Sequence, residues 1–84
     1  MSEAIAGHAE ILRADARALA ECAERLDAIE ARLQESGVAP PWLRDAVRSH
    51  RAACVRAADD LTDAAADLDR YARGARRRPA PEPR

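Results

Sequence analysis

Three residues of this chain have side chains able to do more than pack: Cys22, Cys54 and His50. Two thiolates and an imidazole supply three of the four ligands that a structural zinc ion takes. No fourth ligand stands at a matching spacing, and neither a CxxC nor an HxxxH pattern occurs. His50 is therefore read as a polar member of a helical seam, and no metal or other cofactor is expected. The cysteines suggest a second chemistry. A Cys22–Cys54 disulfide needs Cα atoms within about 7 Å and would stabilise the fold by roughly 2–4 kcal/mol in an oxidising compartment. In a reducing one, the pair serves as two small buried hydrophobes. His8 and Asp15 have no nucleophile at a spacing they could activate, and no Gly-rich phosphate loop is present. The chain is expected not to be an enzyme.

These side chains must be positioned by helices. The 84 residues include no Phe, one Trp and one Tyr, and are dominated by Ala, Arg, Asp, Leu and Glu. Such a composition favours long helices and offers little from which to build strands. The break Ser36-Gly37-Val38-Ala39-Pro40-Pro41-Trp42 divides the chain near its middle. Gly37 suits the left-handed residue that ends a helix, with Val38 packing back on Leu33. Pro40 and Pro41 suit the first turn of the next helix, where a missing N–H costs nothing.

On either side of the break an apolar stripe alternates steps of three and four, as coiled-coil packing requires. The first runs through Ile5, His8, Leu12, Asp15, Leu19, Cys22, Leu26, Ile29 and Leu33. The second runs through Leu43, Val47, His50, Cys54, Ala57, Leu61, Ala64, Leu68 and Tyr71. The expected domain is a helical hairpin over residues 1–74, with helices at 3–36 and 42–73 and a turn at 37–41. Gly74 and Pro79 end the second helix, and 75–84, with its Arg and Pro, is expected to be a disordered tail. Folded about the break, Leu33 meets Leu43, Ile29 meets Val47, Cys22 meets Cys54 and Ile5 meets Tyr71. The face carrying Arg13, Arg17, Glu21, Glu24 and Asp27 is expected to be an ordinary solvated one. Trp42 is expected to cap the turn end over Leu33 and Val38.

A hairpin has one contact face, so Ile11, Val55, Ala58, Ala65 and Ala72 are expected to stay exposed until a second hairpin covers them. The fold class is therefore all-α, an antiparallel two-helix, coiled-coil-like hairpin that pairs into a four-helix bundle. The residues expected to bind the partner are Trp42, Ile11, Leu19, Leu26, Val55, Leu61, Leu68 and Tyr71. The formal charge of -1 excludes an electrostatically driven nucleic-acid binder, although Arg70, Arg73 and Arg76 to Arg78 make one end basic. No apolar run approaches the roughly eighteen residues of a membrane span. The first residues lack the basic-then-apolar layout of a signal peptide, so the chain is expected to be made in the cytoplasm and exported, if at all, by a route without one.

A chain of this size with two amphipathic helices and Trp42 at the central turn resembles the WXG-motif small proteins of bacterial type VII secretion, the Esx-like family. The resemblance covers residues 3 to 74. It implies an antiparallel hairpin, dimerisation into a four-helix bundle, and folded export alone or with a larger effector. The family's Trp-any-Gly turn becomes Trp42-Leu43-Arg44 here, and the residue four after Tyr71 is Ala75 instead of the acid of the family's export signal. The resemblance is therefore to a divergent member, such as an accessory or chaperone hairpin. The expected partner is a second copy, a related hairpin, or the helical domain of a larger effector. A different expectation is a cytoplasmic regulatory or immunity-type binding protein that acts through the same faces. A third is a metal- or redox-sensing hairpin built on Cys22, His50 and Cys54.

Overall fold

The computed structural model describes the backbone of residues 2–77 and the side chains of residues 3–74. The chain forms two helices, α1 (Ser2–Ser36) and α2 (Pro41–Arg77), folded back on each other as a hairpin. Its extents of 70 × 21 × 13 Å make it two helices wide and one helix deep.

The turn forms as its residue types dictate. Gly37 takes the left-handed conformation at φ 69°, where a Cβ is disfavoured. The Ser36 hydroxyl donates to the Leu33 carbonyl at 2.9 Å and accepts from the Val38 amide at 3.4 Å, occupying polar groups that the helix end leaves open. Pro41 opens α2, and the Pro40 carbonyl accepts from the amides of Leu43 and Arg44 at 3.0 and 3.3 Å. Val38 does not fold back on Leu33 but is exposed, and the half-buried Ala39 takes the inward place. α2 continues through Gly74 to Arg77. Gly74 keeps a negative φ there, and one glycine within a helix costs only about 1 kcal/mol, too little to end it. Residues 78–84 of the expected tail lie outside the described residues.

The seam is turned by one position from the one the sequence suggests. Among the described residues, the buried apolar ones are all alanine: Ala9, Ala16 and Ala23 on α1, and Ala58, Ala65 and Ala72 on α2. Each set repeats every seven residues, so it forms one column along its helix. Ala9 and Ala65 retain 0% of their surface. Ala58, Ala65 and Ala72, expected to be exposed, are therefore the centre of the contact. His8, Asp15, Ile29, His50 and Tyr71, expected in the seam, are exposed. The physical reason is close approach: a column of methyl groups lets two backbones draw together, and dispersion contacts reward the shorter distance. The leucines then flank the contact instead of filling it. Leu12, Leu19, Leu26 and Leu33 on α1 and Leu61 and Leu68 on α2 are all only half-buried.

Candidate functional site

The alanine seam divides the hairpin into two unlike sides. One side is charged and closed by ion pairs between the helices. Arg13 pairs with Asp69 near the open end. Arg48 donates to Glu30 at 2.9 Å, and Arg51 lies 3.4 Å from Glu30 and 3.8 Å from Asp27. Glu30 occupies the place that alanine holds at 9, 16 and 23, and it is buried with them. The Arg48 guanidinium holds its carboxyl below the usual carboxylate range, against burial, with Arg51 acting in the same direction. Between these pairs runs an open groove of about 300 Å³, whose walls include Ala20, Asp27, Arg51, Val55 and Ala58. Arg13 and Asp27, expected on a solvated face, thus join the helices.

The other side is apolar and open. The half-buried leucines of both helices line it, with Val47, Ala57 and Ala64 also half-buried among them. Ile11, Ile29 and Tyr71 stand at its edges, exposed by 57%, 43% and 66%. Cys22 and Cys54 meet on this side as half-buried free thiols. Burial pushes the Cys54 thiol up from its ordinary value, and the adjacent Cys22 thiol pushes it further. Among the described residues, no three of His, Cys, Asp or Glu gather closely enough to hold a metal ion. His50 is exposed.

Of the residues expected to bind a partner, six come together on the apolar side: Ile11, Leu19, Leu26, Leu61, Leu68 and Tyr71. Val55 falls on the charged side, where it lines the groove. Trp42 does not cap the hairpin end. It is 70% exposed on the outward row of α2, in line with Ser49, Arg56, Asp63 and Arg70, all exposed as well. The Glu30–Arg48–Arg51 cluster is absent from the sequence expectations. Its signal was present: Glu30 continues the seven-residue column of Ala9, Ala16 and Ala23, where a carboxylate needs a cation opposite.

No described helix is long and apolar enough to cross a membrane. Comparison of the chain with protein-family models, curated proteins and solved structures finds no match in any of the three.

Proposed function

We propose that this chain is a helical interaction module that lays its leucine-lined side against another helical surface and so completes a four-helix bundle. One observation carries the reading: among the described residues, the hairpin buries only alanine of its apolar side chains and leaves its larger hydrophobes half-buried or exposed. Covering a leucine row is favourable by about 25 cal/mol for each Å² removed from water, and none of the described residues of this hairpin, one helix deep, covers it. The role needs no catalysis. Binding comes from the apolar rows, and the charged edges select the partner.

The setting we propose is type VII secretion, as a WXG-like secreted hairpin or as an accessory hairpin for a larger effector. The hairpin architecture and the exposed Trp42 at the turn support this. An exposed Trp beside a rigid helix start is a typical anchor for a partner. Light scattering behind a sizing column tests the module: the chain is expected as an assembly of at least two hairpins, alone or with its partner. A hairpin that stays single and stable with every candidate partner contradicts it. Recovery from the culture medium under secreting conditions, alone or with an effector, tests the setting. Absence from the medium together with no association with any exported protein sinks it.

A further inference from the structure

Resting on that reading, the charges on the apolar side identify its occupant. We infer that it is a second copy of this chain, packed antiparallel about a two-fold axis at the level of Ala20 and Ala58. Those two residues, one from each helix, line the same groove. The outer part of the apolar side is built on α1 from His8, Ile11, Asp15, Ala18, Cys22, Arg25, Ile29 and Arg32. Reversing this row about Ala20 sets Asp15 on the partner's Arg25, Ile11 on the partner's Ile29, and Ala18 on the partner's Cys22. The last pair, His8 with the partner's Arg32, carries no opposite charge and lies towards the ends.

The corresponding row of α2 is centred at the same level. Reversed about the Ala58–Asp59 peptide, it sets His50 on the partner's Asp67, Tyr71 on the partner's Ala46, and Ala53 on the partner's Ala64. Tyr71 thus meets a small side chain, and each two-fold contact occurs twice. Neither Asp15 nor Arg25 has an ion-pair partner among the described residues of its own hairpin. Both are exposed. The parallel arrangement, which stacks α1 on the partner's α2, sets Ile11 against Asp67 and leaves Arg25 and Arg32 facing alanines. Charge therefore selects the antiparallel pair. Asp15 and His50, two of the polar residues that interrupt the sequence stripe, acquire a purpose as register markers.

Sedimentation equilibrium of the full chain and of Asp15→Arg, Arg25→Asp and the double variant tests the inference, with helicity followed by circular dichroism. Each single reversal creates two like-charge contacts and is expected to weaken the dimer on the order of tenfold or more, while the double variant restores it. A dimer indifferent to both reversals, or a double variant no tighter than the singles, overturns the register. A chain that stays monomeric and helical at every concentration overturns the second copy as occupant and leaves the face itself for a different helical chain. The face fails separately: if Ile29→Asp leaves a wild-type dimer intact, the contact lies elsewhere.

Discussion

Replacing Ala65 by leucine separates an alanine seam from a leucine seam. Ala65 has 0% of its surface exposed and lies in the column that faces α1. The added isobutyl carbons have no open side to enter, so α1 must move away or the new side chain must leave its preferred rotamers. Overpacking of this kind costs about 1–3 kcal/mol. For a domain of this size, each kcal/mol shifts the melting midpoint by roughly 4–8 °C, so a fall of about 5–20 °C is expected. Ala28→Leu is the control. Ala28 is exposed on the outward side of α1, and surface changes of this kind stay within about 0.5 kcal/mol. Urea titrations of both variants, followed by circular dichroism at one fixed protein concentration, give the comparison, because assembly makes apparent stability depend on concentration. If Ala65→Leu is as stable as wild type or more so, the helices do not meet through this column. The reasoning about close approach is then refuted.

Three further outcomes follow from the same contacts. Gly37→Ala meets no clash, since nothing lies within 4 Å of the added Cβ, yet φ 69° strains any L-residue; a loss of about 1 kcal/mol in urea is expected, and none would contradict the turn geometry. Glu30 titrates below its ordinary value of 4.5, so its stabilising pairing with Arg48 is complete above that pH and is lost as pH falls through the lower folded value. Glu30→Gln should therefore flatten the acid limb of a stability-versus-pH curve, and an unchanged limb would dismiss the pairing. Cys54, with its raised pKa, should react with iodoacetamide more slowly in the folded protein than in urea at the same pH, whereas equal rates would mean an open thiol. Glutathione disulfide in excess should join Cys22 to Cys54 within one chain and release two equivalents of glutathione; only mixed disulfides would show that the sulfurs do not meet.

The hinge was legible because it rests on residue types with few alternatives. Only glycine takes the conformation of Gly37 cheaply, and Pro41 fits only a first turn. The meeting of Cys22 with Cys54 was legible from register alone, since a tight turn fixes which residues lie level. The rotation of each helix was not. The leucine rows and the alanine columns at 9, 16 and 23 and at 58, 65 and 72 share the same period, and the broad apolar stripe includes both. Hydrophobicity favours the leucines as the centre. Backbone approach favours the alanines, and with only two helices to pack, approach prevails. That rotation is why His8, Asp15 and His50, polar members of the stripe, stand exposed, and why Val55 parts from Ile11.

Ile29 and Val55 offer the most direct test of a one-sided module. Both are exposed by 43%, and they lie on opposite sides of the hairpin. A charge at either costs the single hairpin little, so differences in assembly report the side that docks. Sedimentation equilibrium of Ile29→Asp and Val55→Asp at matched concentrations is the measurement. The account predicts that Ile29→Asp loses the assembly and that Val55→Asp keeps it. Loss with Val55→Asp and retention with Ile29→Asp would place the docking surface on the charged side and contradict the account.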